Sequence, residues 1–453
     1  MDRLKKAQAR KSSHELPLFA VGHLPLGSLA VPPAVFLPPY FAAQIGIEMA
    51  LVSLIFTGAR AFDFIIDPFI GGLQDSTTTR FGRRRLWFGL ACPLLMAFVW
   101  LVFIGIPPGA DLWVAGGAVF AMYALYATML IAHLGWAGEL RTDYHGRTNV
   151  LGAVQIAAMI GATSILLVPG IVRISGLGDD ADAVHAMGWM LLLVLPVCTL
   201  ATVLFVREPD IPPNPPLTLR SQWEALIANA SLRQVLAPDF LLGVAQGVGG
   251  GLFLFYFQYR LGFESESQIL LFIYFIVGVL GVPIWMWLGR KIGKSRALAT
   301  ACIYAATATL AIFLIPPQAF WIAAPAMALA GLHQGAGPLL LRAMLADVVD
   351  EDVVKCGAQR SGLFYGLMST TSKVGLMLGP MTYAVLSLFD FNPALRDANT
   401  PTAMTALTVL FVAAPALLYA ITAWSLRFYK LDETRQRALR AEIDARRSRT
   451  TSQ

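Results

Sequence analysis

Four ionisable side chains stand where ionisable side chains are costly. Asp63 and Asp67 lie inside one long apolar run, Arg60 shares that run, and Lys373 lies inside another. The spacing 60, 63, 67 is i, i+3, i+7, which sets all three on one helix face. At membrane depth such a face looks into a cavity or onto another helix and marks an ion or substrate path. Two carboxylates, one guanidinium and one ammonium sum to zero. A neutral cluster persists, and one carboxylate can exchange its positive partner for a cation or a proton. That chemistry suits ion coupling; a static network pinning one helix to its neighbours is the other use of the same residues. Asp63 and Asp67 are the acidic side chains expected well inside a span. They are the candidate Na+ ligands, with the hydroxyls of Thr57, Thr371 and Ser372 as further oxygens, and carboxylates alone serve a proton. No cofactor is implied beyond that coupling ion, Na+ or H+.

The elements that position these groups follow from composition. Of 453 residues 57% are hydrophobic and only 14% charged, against about 25% charge in soluble domains. Mean hydropathy is +0.63. Twelve stretches are long and apolar enough to cross a bilayer, which takes about 20 residues: 17–43, 48–74, 86–106, 112–136, 149–173, 187–206, 239–261, 267–289, 297–316, 319–345, 363–388 and 403–425. The expected class is therefore an all-α membrane protein, twelve spans in two six-helix bundles. Of the 34 basic residues, 28 fall in the tails and alternate loops on one side; Arg173, Arg260 and Arg396 fall on the other. By the positive-inside rule both termini are cytoplasmic. The net charge of +6 then reads as a topology signal, not as a nucleic-acid surface. The four cysteines are scattered and give neither a disulfide framework nor a metal motif.

The expected organisation is a tail over 1–16, a first bundle over 17–206, a linker over 207–238, a second bundle over 239–425 and a tail over 426–453. The linker opens on a Pro-rich stretch and continues into Ser221-Gln222-Trp223-Glu224, a capping box for a short amphipathic helix. Basic turns around a glycine follow span two (Arg80-Phe81-Gly82-Arg83-Arg84-Arg85) and span eight (Arg290-Lys291-Ile292-Gly293-Lys294). A six-span repeat marks transporters that rock two halves about a midplane site. Span two reaches Asp75 and span eleven starts near Gly362, so Asp63 and Lys373 lie at one level, roughly 16–18 Å above the same end.

Arg60-Ala61-Phe62-Asp63-Phe64-Ile65-Ile66-Asp67-Pro68, then Gly72, Asp75, Arg80, Gly82 and Arg83-Arg84-Arg85, resembles the span-two signature of the glycoside–pentoside–hexuronide:cation symporters. These are the melibiose-permease-like branch of the major facilitator superfamily. Glu139-Leu140-Arg141-Thr142-Asp143-Tyr144-His145-Gly146-Arg147-Thr148, Ala343-Met344-Leu345-Ala346-Asp347-Val348-Val349-Asp350 and Arg360-Ser361-Gly362-Leu363-Phe364-Tyr365-Gly366 are similar to three further segments of that family. The resemblance implies that Asp63 and Asp67 hold the coupling cation, that Lys373 helps govern the site, and that spans two and eleven are neighbours. Melibiose-type members also carry sugar-binding carboxylates in spans one and four, where this chain has about Gly27 and Leu130. Span one carries five prolines that break or kink it.

The expected function is a Na+- or H+-coupled symporter moving a sugar, glycoside or related small solute by alternating access. It is expected as a monomer in a bacterial-type inner membrane. An amphiphile such as a lysolipid is the second reading, and a transporter-like receptor a third. Candidate substrate contacts are His23, Tyr126, His133, Trp136, His333 and Gln334; packing is the alternative for the histidines. The candidate cytoplasmic gate sets Asp75, Arg83, Arg84 and Arg85 against Asp347, Asp350 and Glu351. The glycines at 247 and 249–251 suit a closely packed helix. The C-terminal tail reads as a solvated helix. No hydrolase motif supports an enzyme.

Overall fold

The apolar runs become helices because only a helix satisfies its own backbone within hydrocarbon. The computed structural model describes residues 15–209, 229–263, 266–357, 359–379, 381–392, 395 and 398–451, and no strand occurs among them. Ten of its helices are long and apolar enough to cross a membrane. The chain divides into two units, 1–223 with 352–366, and 224–351 with 367–453. The N-terminal tail and the linker's capping box lie outside the described residues.

In the first unit the span-one segment is irregular. A short 3-10 turn at Val21–His23 leads into helical pieces at Leu24–Leu29, Pro32–Val35 and Leu37–Tyr40, then a π-turn at Phe41–Ile45. The prolines remove amide donors along it and so forbid a continuous ladder. Regular helices follow at Met49–Ser76, Arg84–Trp100, Leu112–Leu140, Tyr144–Ile174 and Asp180–Phe205. Span one lies backbone to backbone on span five. A Cβ at Gly27 would strike the Ala158 carbonyl, one at Gly161 would strike that of Leu24, and Ser28 donates to Gly161 O at 3.0 Å.

In the second unit span seven starts nine residues before its expected limit. Its helix runs Ala230–Phe255, and Asn229 caps it by accepting from Leu232 N–H. Helices Glu266–Ile292 and Lys294–Ala311 follow. The tenth expected span is not one helix: Phe320–Gly331 and Ala336–Cys356 are separated by a turn. The eleventh is also divided, into Ser361–Met377 and Met381–Ser387. The breaks fall at 332–335 and beside Gly379, with a proline following within three residues in the sequence at each. The last long apolar helix spans Pro401–Phe428 with a π-turn inside it.

The C-terminal helix, Glu433–Thr451, differs from its solvated expectation on one face. Gln436, Leu439 and Ile443 are buried, and Arg440 bridges to Asp350 at 3.2 Å. Its other face carries the exposed charges.

Candidate functional site

Asp63 and Asp67 are both buried in the Met49–Ser76 helix, while Arg60 on the same face is half-buried. They stand one turn apart, so the two carboxylates flank a single point beside the helix. Span two meets the first turns of the span-eleven helix within the first unit. A Cβ at Gly366 would lie 2.6 Å from the Asp67 carbonyl, and Gly71 and Gly362 oppose each other with no room for a side chain on either. Small residues that let two backbones touch are how helices associate without a hydrophobic drive. Lys373, three turns further along the same helix, belongs to the second unit and is half-buried.

At the basic-loop end of span two, Asp75 is fully buried. It accepts the amides of Gly362 and Leu363 at 3.0 and 2.9 Å, so its charge sits on the positive end of the span-eleven helix. Arg84, also fully buried, clasps Asp75 and reaches Glu139 at 3.2 Å. Arg83 joins Glu139 at 2.7 Å. Glu208 accepts the backbone amides of Arg83, Arg84 and Arg85, capping the span-three helix, and burial raises its carboxyl above the ordinary range. In the second unit Lys294 reaches Asp347 at 2.6 Å, and Asp350 takes Arg440. Arg83 and Arg84 thus find carboxylates, Asp75 and Glu139, inside their own unit. Glu139, Glu208 and Lys294 were each legible only as loop-edge charges.

The substrate candidates divide by unit. His23 and His133 are buried, Nδ1 to Nδ1 at 3.1 Å, and His133 Nε2 meets the Phe19 carbonyl at 3.0 Å. Phe19 stacks on the His133 ring at 4.3 Å and meets Trp136 edge-on. Trp136 is fully buried, and Tyr126 is half-buried. In the second unit His333 and Gln334 sit in the turn that breaks span ten. His333 Nε2 meets Tyr419 Oη at 3.1 Å, and Tyr274 donates to Gln334 at 2.6 Å. A small cavity of about 50 Å³ is lined there by Gln246, Cys302, His333, Gln334 and Tyr419 among apolar neighbours. A broken helix that lines a cavity is where transporters place recognition groups.

One buried ionisable residue escaped the sequence reading. Asp239 is buried ten residues inside the span-seven helix, not at its edge. The Asn229 cap followed by helical spacing was the signal. Thr371 and Ser372, expected as sodium oxygens beside Asp63 and Asp67, instead donate to Asp239 at 2.6 and 2.7 Å.

Helical bundles of this order with ionisable groups at depth define a secondary transporter of the major facilitator fold. The solved fucose:proton symporter of Escherichia coli superposes with a TM-score of 0.63 at 14% identity, covering 92% of this chain and 98% of its own. A bacterial homologue of the iron transporter ferroportin gives 0.65 at 13%, covering 91% and 99%. The sequence model of the family described as "MFS/sugar transport protein" matches residues 18–433. The chain belongs to that family, the glycoside–pentoside–hexuronide-like symporters of the major facilitator superfamily, which are transporters and not enzymes. The isoprimeverose transporter of Lactiplantibacillus pentosus is 22% identical over 88% of this chain and 85% of its own. The human sodium-dependent lysophosphatidylcholine symporter 1 is 23% identical over 88% and 80%, and the glucuronide carrier protein homolog of Escherichia coli 23% over 91% and 92%.

Proposed function

We propose that this protein is a cation-coupled symporter working by alternating access, with twelve crossings and both termini on the cytoplasmic side of a bacterial-type inner membrane. The observation that carries the reading is the pair Asp63 and Asp67, two buried carboxylates one turn apart on span two. A carboxylate pair can take up a monovalent cation or a proton. Cation binds at this pair, with Arg60 on the same helix face tuning it; substrate follows, and the loaded form favours inward opening. The Arg83–Arg84–Asp75–Glu139 cluster and the Lys294–Asp347 pair fasten the basic-loop end of each unit.

The substrate is a sugar, glycoside or related solute, as the names of several relatives suggest. An amphiphile is the second reading, and one observation favours it. The place of the melibiose-type carboxylate in span one falls at about Gly27, which is pressed on the Ala158 backbone with no space for an acid. Counterflow in proteoliposomes, with sugars, sulfonates and lysolipids under separate sodium and proton gradients, separates the readings. Asp63→Asn is expected to abolish gradient-driven accumulation. Accumulation surviving in that variant refutes the coupling assignment; uptake of lysolipid with every sugar failing selects the amphiphile.

A further inference from the structure

Asp239 is 8% exposed and is held between two helices that touch through glycine. A Cβ at Gly243 would lie 2.8 Å from the Ser372 carbonyl, one at Gly375 2.5 Å from that of Phe240, and one at Gly247 2.5 Å from that of Leu376. Gly243 and Gly247 on span seven thus mesh with Gly375 and Gly379 on span eleven, each pair four residues apart. That contact brings the Thr371 and Ser372 hydroxyls within 2.6 and 2.7 Å of one oxygen, Asp239 Oδ2. Oδ1 has no hydrogen-bond partner among the described residues. Asp239 lies nine residues beyond Ala230 and Thr371 ten beyond Ser361, roughly 14–15 Å along their helices.

We infer that Asp239, Thr371 and Ser372 form a second monovalent-cation site, contained in the second unit and separate from Asp63 and Asp67. One carboxylate carries one negative charge, which Na+ or H+ cancels and a divalent ion does not. Ser372 spends its proton on Oδ2, and Thr371 shares its own between Oδ2 and the Met368 carbonyl at 3.0 Å; the lone pairs of both remain to ligate, and oxygen donors suit a hard cation. The charged group acting on Asp239 is Arg342 on span ten. A bound cation competes with it, so its arrival frees positive charge in the second unit. The inference rests on the cation-coupled reading above and extends it to a second ion.

The test is thermal unfolding of the purified protein in detergent, titrated with NaCl against choline chloride at several pH values. Stabilisation by a bound ion follows its occupancy. The Asp63→Asn/Asp67→Asn double variant is expected to keep part of the wild-type sodium or proton response. Adding Asp239→Asn should remove it. Adding Thr371→Val/Ser372→Ala instead keeps the carboxylate and should weaken sodium binding about tenfold or more, while a proton response persists. A sodium response identifies Na+; a response to pH alone identifies H+. A wild-type response that vanishes in the double variant overturns this site and leaves the span-two site standing. A response that Asp239→Asn and the hydroxyl variant leave unchanged also overturns it. No response in the wild type overturns both readings.

Discussion

Replacing Arg84 with Met tests whether the clasp at the end of span two is held by charge. The guanidinium is fully buried between Asp75 and Glu139 and donates to Gln74 at 3.3 Å. Methionine keeps the apolar stem and removes the cation. Glu139 would retain Arg83 at 2.7 Å, and Asp75 would retain the Gly362 and Leu363 amides. Asp75 would then face Glu139 and Glu208 with one arginine where there had been two. Removing one partner of a buried pair costs about 3–5 kcal/mol; the surviving amides place this case near about 3 kcal/mol. The assay is equilibrium unfolding in mild detergent, with Glu139→Gln and the double variant completing a cycle. Glu139→Gln in the Arg84→Met background should recover about 1–2 kcal/mol, because it removes the stranded repulsion. A single-variant cost under about 1 kcal/mol, the value of an exposed pair, or additivity within about 0.5 kcal/mol, would refute a charge-held clasp.

Two further outcomes test the packing and the cap. Gly362→Ala drives a Cβ into the Gly71 carbonyl and to 2.5 Å from Arg84 Nη1, so it should cost about 1–3 kcal/mol. Gly249→Ala meets nothing within 4 Å and should stay within about 0.5 kcal/mol of the parent; equal losses in both would show that helix distortion, not helix contact, is being read. Glu208 has its carboxyl raised by burial, so its contribution to stability is present below the ordinary carboxylate value and is lost as pH rises through the raised one. A pH series of melting curves should show that loss flatten in Glu208→Gln, and an unchanged slope would contradict the sign.

Helix membership was written in hydropathy, but helix interruption was not. Spans ten and eleven read as continuous apolar runs because hydropathy sums side chains, and Gly335 and Gly379 barely change the sum. What breaks the helices is backbone freedom beside a proline, a local conformational term. Asp239 was lost for the converse reason. Its charge looked like the edge of a span, since a carboxylate costs several kcal/mol in hydrocarbon. The cost is offset by two hydroxyls 132 and 133 residues away in sequence, and no local pattern carries that pairing. Asp63 and Asp67 were legible because the spacing of two deep acids on one helix is itself local information. Trp136 and His133 were read as ligand groups from residue type. Their burial behind Phe19 depends on how span one bends, which its prolines announce but do not aim.

The two histidines show why the first unit supplies so little polar recognition. The Phe19 carbonyl has no proton to give, so His133 must donate to it from Nε2. With both rings neutral, its Nδ1 then accepts from His23 Nδ1–H across 3.1 Å. Spans one and four thus spend these two histidines on each other, and Gly27 leaves no room for a carboxylate beside them. In the second unit the turn that breaks span ten leaves His333, Gln334 and Gln246 along a cavity with Tyr419 and Cys302. Backbone released from a helix must be satisfied by side chains, water or ligand. Under the proposed symport, the second-unit turn is therefore the better placed of the two to recognise a polar group.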